Sequence, residues 1–238
     1  MRQLFVISVL AFVMMAFEAV AQTRTYATSG GEMIFSFANI NDNGREESAV
    51  LRWSPWFNLQ SMFNADFSDN IGTFIGFSFK NIGFIYDGYR EYSDPEDPGS
   101  YEVVKKKFRS YNAGIPVGLK IGKLDRFFIY GGYELELPVN YKEKTFSGDR
   151  KVDKFNVWFS KRQETLMHGF MVGIQMPYGT NIKFKYYLTN FHNMDYVDGN
   201  GRKPYLGLES NVFYISFNAN LFKNDRFMPS SKKNEKYY

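Results

Sequence analysis

Eight stretches of the chain alternate between apolar and polar residues, and this two-residue period constrains the fold more than any other feature. From Tyr111 to Ile121, the odd positions are apolar or aromatic, whereas the even positions carry amide, glycine, proline or lysine. Successive side chains of a strand point to opposite faces, so the pattern predicts strands with one apolar and one polar face. The alternating runs lie at residues 32–40, 57–67, 71–86, 111–122, 127–142, 165–176, 181–191 and 211–222.

The segments that join these runs alternate in length. Short connections lie at residues 68–70, 123–126 and 177–180, and longer ones at 41–49, 87–104, 147–164 and 192–210. An even number of strands joined by turns that are short on one side and long on the other is typical of bacterial outer-membrane barrels. We therefore predict an all-β fold, an eight-stranded antiparallel up-and-down transmembrane β-barrel with short periplasmic turns and longer extracellular loops. At the turn 123–126, matching of faces allows Ile121 to lie opposite Phe127 or Ile129.

Alternation alone does not say which face is inside, because a soluble lipocalin-like barrel turns its apolar face inward. Three features favour the opposite arrangement. The polar faces are rich in glycine, the apolar faces continue for roughly ten residues, which is enough to cross a bilayer, and aromatic residues crowd the strand end at 53–57. We therefore expect the apolar face to contact lipid.

The polar face then lines a lumen that eight strands leave just wide enough for side chains to fill. Charges buried there have to pair, because an isolated buried charge is costly. The predicted lumen charge network consists of Arg52, Asp66, Lys80, Lys120, Glu134, Glu136, Lys142, Lys183 and Lys185. A solute pathway and a ligand site remain alternatives to a sealed plug. Pro116 and Pro138 interrupt two of the runs, and we expect β-bulges there.

The two ends of the chain differ from the part between them. Residues 1–21 combine Arg2, a short apolar run and small residues at 19–21, which predicts a secretory signal peptide. The barrel is assigned to 22–222, and the basic segment 223–238 is expected to be a periplasmic tail. The chain lacks cysteine, so no disulfide holds the fold. A net charge of only +4, without a basic cluster in the body of the sequence, argues against nucleic acid as a partner.

On these features the chain resembles the small outer-membrane β-barrel superfamily of Gram-negative bacteria, which includes the OmpX-type and PorT-like barrels. The resemblance rests on the signal peptide, the eight runs, the loop order and the last run, "FYISFNANLF", which ends at Phe222. It implies that Phe222 is an assembly signal, although 16 residues follow it here. We expect the outer membrane as the location, with outer-membrane lipid, lipopolysaccharide and an envelope protein as candidate partners. The expected role is structural or binding, and a narrow barrel for small solutes is the alternative.

Few residues suggest metal binding or catalysis. With no cysteine and only His168 and His192, a transition-metal site lacks ligands, and no metal or cofactor is predicted. His168 shares the apolar face of its run, so we expect it to face lipid or the interface. The acidic segment 87–102 matches no calcium-loop spacing. His192 alone suggests a lipid A-modifying enzyme, but only Glu209 and Ser210 follow it, too little for a triad, and we predict a non-enzyme.

One longer connection combines aromatic and basic residues. Phe155, Trp158 and Phe159 have the spacing of one face of a helical turn, and basic residues flank them. The candidate extracellular contact patch is Phe155, Trp158, Phe159, Lys161 and Arg162. Two interpretations stay open: the patch docks on lipopolysaccharide or a protein, or its aromatic side chains cover the barrel mouth or continue the strands.

Overall fold

The computed structural model describes residues 23–92, 100–199 and 201–224, and most of them lie in strands. The predicted signal peptide and nearly all of the predicted tail lie outside these residues. Within them, no helix is long and apolar enough to cross a membrane. The elements are β1 (Arg24–Asp42), β2 (Arg45–Ser48), β3 (Arg52–Ser54), β4 (Leu59–Asp66), β5 (Ile71–Tyr92), β6 (Tyr101–Lys123), β7 (Phe127–Ser147), β8 (Arg150–Trp158), β9 (Met167–Gln175), a 3-10 turn (Pro177–Gly179), β10 (Thr180–Tyr187) and β11 (Leu208–Asn224).

Eight strands close into a ring in which every neighbouring pair is antiparallel. The order around the ring is β1, β4, β5, β6, β7, β9, β10 and β11, and β11 pairs with β1 to complete it. The short strands β2 and β3 pair with β1 beyond the end of β4, and β8 pairs with β7 beyond β9. The predicted eight-stranded antiparallel barrel is thus confirmed. Closure leaves the ring without an open edge at membrane level, which a lipid environment requires.

The strands extend further than the alternating runs indicated. β5, β6 and β7 contain 22, 23 and 21 residues, about twice what a bilayer requires. Most of the longer connections therefore continue the strands as hairpins, as where β7 and β8 meet at a turn around Gly148. The wall stands well above the membrane on the side of the longer connections.

Burial shows which face meets which environment. Leu119 and Ile121 on β6 are 59% and 64% exposed, whereas Lys120 between them is 1% exposed. The apolar side chains therefore face outward and the charged ones inward, as expected for a barrel in lipid. From Tyr111 to Ile121 the outward band of β6 spans roughly 25 Å along the membrane normal, the height of an outer-membrane apolar belt.

The turn between β6 and β7 uses one of the two predicted registers. Ile121 pairs with Ile129, and Lys123 pairs with Phe127, which leaves a three-residue turn at 124–126. Aromatic side chains lie over glycines on the inner face, where a Cβ on Gly118 would come within 2.5 Å of the Phe74 ring. Glycine is therefore needed at this position for close approach of the ring.

The two prolines inside the strands have different effects on pairing. In β7, Asn112 of β6 pairs with Pro138, but Tyr111 pairs with Asn140, so Val139 is an extra residue and forms the bulge expected near Pro138. At Pro116 the expected bulge is wrong. The β5–β6 ladder omits two pairs beside Pro116 and resumes in the same register, from Ile75–Val117 to Ser78–Gly114.

The bulge changes which side chains of β7 enter the lumen. Glu134 and Glu136 face inward before it, and Tyr141 and Glu143 face inward after it. Lys142, predicted to lie in the lumen, is therefore on the outer surface. The prediction was wrong because one inserted residue shifts the alternation by one and inverts every side chain that follows.

Candidate functional site

The centre of the lumen holds a network of four buried charges. Lys185 Nζ donates to Glu134 Oε2 and to Glu136 Oε1, at 2.6 Å in each case. Lys80 Nζ contacts Glu134 Oε1, and it lies 3.2 Å from Glu136 Oε1. All four side chains are at most 1% exposed. Tyr187 Oη also donates to Glu136 Oε2 at 2.8 Å, so neutral groups satisfy oxygens that the lysines leave free.

Two further pairs lie nearer the short-turn end. Lys183 Nζ lies 2.8 Å from Glu32 Oε2, which also accepts a hydrogen bond of 2.7 Å from Ser216. Lys120 Nζ lies 2.5 Å from Asp66 Oδ1. Each buried ammonium group in these layers therefore has a carboxylate partner, as burial of charge requires.

The upper lumen is filled mainly by aromatic side chains around His192. Its ring stacks on Tyr205 with centroids 4.3 Å apart, and the Phe108 ring lies edge-on at 4.5 Å. Tyr141 Oη lies 3.4 Å from His192 Nε2. Burial lowers the pKa of His192 to about 3, although the nearby Glu143 opposes the effect. The imidazole is therefore neutral at physiological pH.

Glu143 lies beside the aromatic layer around His192 and binds two of its tyrosines. Glu143 accepts hydrogen bonds from Tyr141 Oη at 2.8 Å and Tyr205 Oη at 3.0 Å, and Lys106 Nζ lies 2.7 Å from its other oxygen. Burial alone would raise the pKa of Glu143, but the Lys106 ammonium lowers it overall. The upper lumen is therefore closed by satisfied polar groups as well as by ring packing.

Below the charged layers, the lumen opens toward the short turns. A cavity of about 310 Å³ lies there, and its wall includes Tyr26, Lys120, Phe128, Tyr130 and Asn181. The charged layers above form its inner end. The cavity is thus a vestibule at one end of the barrel, and a chain of buried side chains separates it from the other end.

Of the residues predicted to form the lumen charge network, some lie on the inner face and others do not. Seven of them are buried on the inner face: Asp66, Lys80, Lys120, Glu134, Glu136, Lys183 and Lys185. Arg52 lies in the wall, where Nη1 and Nη2 donate to the backbone oxygen and the Oδ1 of Asn81. It lines an outward depression together with Lys142, so these two predicted members do not join the network.

Sequence reasoning missed several charged residues that line the lumen. Glu32 is the first residue of the run 32–40 and has the same parity as the inward Ile34, so the alternation already placed it on the inner face. Lys106 likewise shares the parity of Lys120 along β6. Glu143 carried no such signal, because the bulge at Val139 reverses the parity that precedes it.

The predicted contact patch does not form one surface. Its residues belong to β8 and the segment after it, so the predicted helical turn is wrong. Arg162 stacks over Phe155 at 4.5 Å and donates to Tyr205 Oη at 3.0 Å, which covers the mouth. Trp158 and Phe159 are 64% and 68% exposed. Trp158 and Phe155 continue the wall because β8 pairs with β7 in an antiparallel ladder, which has one register shift between Thr145 and Phe146.

The two histidines occupy different environments. His168 lies on the outer face of β9 beside Tyr133, with ring centroids 5.6 Å apart. His192 Nδ1 lies 3.4 Å from Ser210 Oγ, and both residues are fully buried. Glu209 is exposed on the opposite side of its strand, so it contributes no acid to this pair. Among the described residues, no group of three or more histidine, aspartate or glutamate side chains is arranged to hold a metal ion.

Several solved structures are similar to this one. Ail, the attachment invasion locus protein of Yersinia pestis, solved with the heparin analogue sucrose octasulfate, aligns at 8% identity and a TM-score of 0.36, over 82% of this chain and 97% of Ail. OprG of Pseudomonas aeruginosa aligns at 13% identity and 0.35, over 84% and 95% of the two chains. Neisserial surface protein A aligns at 9% identity and 0.34, over 82% and 96%. No protein-family model and no curated protein matches the sequence.

These similarities are of low identity, and the class of the protein is defined by its own geometry. A closed antiparallel ring, an outward apolar band of bilayer height and a charged interior together define an outer-membrane β-barrel. The chain therefore has the architecture of a small transmembrane β-barrel, the fold that the resemblance seen in the sequence implied.

Proposed function

We propose that the protein has a structural or binding role exerted through its extracellular surface and not through its lumen. The observation that carries the proposal is the central network in which Lys185 and Lys80 bridge Glu134 and Glu136 with essentially no exposure. A solute crossing the barrel would have to separate these ion pairs in a low-dielectric interior, which is costly.

The arrangement above the membrane supports the same proposal. The extended hairpins and the segment from Leu188 to Gly207 place a large folded surface outside the outer leaflet. Tyr205 from that segment inserts into the mouth and is 1% exposed. Function then depends on the outer surface, because the interior is occupied by the protein's own side chains.

A non-enzymatic role is part of this proposal. His192 and Ser210 contact each other, but both are buried beneath Tyr205 and Arg162. A lipid acyl ester could not reach Ser210 unless the aromatic layer were displaced. If mass spectrometry of lipid A from expressing cells showed a modification that His192→Ala abolishes, the enzymatic alternative would replace this proposal.

Planar-bilayer recording tests whether the lumen is sealed. The purified wild-type barrel should give no stable conductance steps. The comparison variant replaces Lys80, Lys185, Glu134 and Glu136 with serine and Tyr205 with alanine. These changes remove the central network and part of the aromatic layer above it, so the variant should give conductance steps. Discrete steps from the wild-type protein would overturn the sealed-lumen part of the proposal.

Photo-crosslinking on intact cells tests which side of the barrel binds. A photoreactive amino acid at the exposed position 206, in the segment between β10 and β11, samples the extracellular surface, and one at the exposed position 178 samples the short-turn side. We expect envelope adducts at position 206 and not at 178. Adducts confined to position 178 would contradict a role through the outer surface.

A further inference from the structure

The outer surface carries a strip of basic side chains just above the lipid-facing band. Strand pairing sets Arg109 opposite Lys142, Lys107 opposite Lys144, and Lys144 opposite Lys154. The strip crosses β6, β7 and β8, so these five residues are close in space although they are dispersed in the sequence. We call Lys107, Arg109, Lys142, Lys144 and Lys154 the basic strip.

Nothing in the described part of the chain neutralises this strip. None of its five side chains lies within 4.0 Å of a carboxylate of a described residue, whereas Lys105, its neighbour above, lies 2.7 Å from Asp87. Burial and then the charge of Arg109 lower the pKa of Lys142, and the same causes lower that of Lys144. Like charges directly opposite across strands destabilise a sheet. An anion bound between these side chains would relieve their mutual repulsion.

A depression beside the strip gives such an anion a place. It has a volume of about 320 Å³, and its wall includes Arg52, Arg109, Lys142, Trp53 and Trp56. The Nε of Arg109 is buried and has no hydrogen-bond partner among the described residues. The depression therefore combines an unsatisfied donor with several cationic groups and two exposed indole rings.

The height of the strip identifies the kind of anion. Tyr111, which ends the apolar band of β6, stacks on Phe79 with ring centroids 5.6 Å apart. Arg109 and Lys107 lie two and four residues beyond it on the same outward face. Aromatic belts mark the boundary between acyl chains and headgroups, so the strip lies at headgroup level. A ligand there must carry clustered negative charge and acyl chains that lie against the apolar wall below.

We propose that the basic strip and its depression bind the phosphorylated headgroup of lipid A, the anchor of lipopolysaccharide in the outer leaflet. Arginine and lysine donate charge-assisted hydrogen bonds to phosphate oxygens. The acyl chains lie along the outward apolar faces of β5 and β6, and the indole rings border the headgroup. This site depends on the proposed location in the outer membrane, and lipid A would be a ligand of the outer surface to which we assign the function.

Binding to the full-length barrel in nanodiscs tests the site. The probe is purified lipid A that carries both phosphates, and the second arm uses the same lipid after dephosphorylation. We expect Lys142→Gln with Lys144→Gln to weaken binding of the phosphorylated lipid by about tenfold or more, as loss of charge-assisted phosphate contacts implies. The dephosphorylated lipid should bind the wild type and this double variant with equally low affinity.

The matched control is Lys123→Gln with Arg126→Gln, which removes the same charge at the short turn. It should bind like the wild type. Arg109→Gln is a second, independent variant in case the first pair fails to assemble, and gel migration before and after heating reports assembly. Equal binding of phosphorylated and dephosphorylated lipid, or equal loss in the control pair, would overturn the site.

Competition separates lipid A from other anions. Inorganic phosphate at millimolar concentration should displace little lipid, because it lacks the acyl chains. A soluble sulfated polysaccharide that binds the strip while lipid A does not would also overturn the proposal. A conducting lumen would contradict the proposed function but would leave this site unaffected, so the two failures are distinguishable.

Discussion

The Nζ of Lys185 lies 2.6 Å from Oε2 of Glu134, and neither side chain is exposed to solvent. The two residues are on β10 and β7, the two neighbours of β9, so the contact spans the inner face of β9. Lys185 also binds Glu136, and Lys80 binds both glutamates, which makes the group electrically balanced. A balanced interior of this kind holds the barrel closed but tolerates single changes poorly.

The first prediction concerns that balance. Lys185→Met should lower the free energy of unfolding by about 3–5 kcal/mol, because it leaves one buried carboxylate without compensation. The double variant Lys185→Met, Glu134→Gln should be destabilised less, since Lys80 and Glu136 then remain as a pair. Urea unfolding in detergent micelles, followed by tryptophan fluorescence, measures both. A double variant that is less stable than the single one would contradict the balanced-charge interpretation.

The second prediction concerns pH and His192. The unfolded chain protonates this histidine below about pH 6.5, whereas the folded barrel keeps it neutral down to about 3. The unfolded state therefore binds more protons in this window, and stability falls as the pH is lowered, by at most about 1.4 kcal/mol per pH unit. Glu143, whose lowered pKa contributes only below about 4.5, adds its own loss at more acidic pH.

The groups that face His192 are Tyr141, Tyr205, Lys106, Arg162 and Glu143, and only Glu143 overlaps the acidic end of the window. Unfolding free energies measured from pH 7.5 to 4.5 isolate the histidine. His192→Phe should reduce the slope relative to the wild type. An unaltered slope in His192→Phe would show that other groups cause it.

The third prediction concerns the bulge in β7. Deleting Val139 alone removes the extra residue, so the alternation from Pro138 through Asn140 becomes regular, and Lys142 stays outward with Glu143 inward. We expect this variant to assemble and to keep the heat-dependent gel shift. Deleting Val139 and Asn140 together removes one residue more and turns Lys142 inward and Glu143 outward, so this variant should fail to assemble. Full assembly of the double deletion would mean that residue parity does not set the orientation of the upper strand.

The fourth prediction uses two glycines on neighbouring strands. A methyl group on Gly118 would come 2.3 Å from the backbone oxygen of Gly131 and 2.5 Å from the Phe74 ring, whereas one on Gly131 meets nothing closer than 3.8 Å. Gly118→Ala should therefore cost about 1–3 kcal/mol of stability through overpacking. Gly131→Ala is the control and should stay within about 0.5 kcal/mol of the wild type. Equal effects of the two changes would argue against a crowded lumen.

The alternation of side chains allowed the barrel to be predicted without a structure. A strand has a period of two, so the outward Leu119 and inward Lys120 followed from their positions once the apolar face was assigned to lipid. The even number of strands, together with connections that are short on one side and long on the other, predicted a closed antiparallel ring. The inward carboxylates and lysines of β4, β5, β6 and β10 and of the lower half of β7 could be named because no inserted residue interrupts the alternation in those segments.

The remaining features depend on how the strands pair, and the two-residue alternation of the sequence does not predict that pairing. One extra residue at Val139 moved Lys142 outward, and the short strand β3 places Arg52 beside Asn81 of β5. Lys107 and Arg109 lie in a basic stretch of β6, but only the pairing of β6, β7 and β8 brings basic residues from three strands into one strip. Alternation determines the side of a wall on which each residue lies, and only strand register determines which residues meet there.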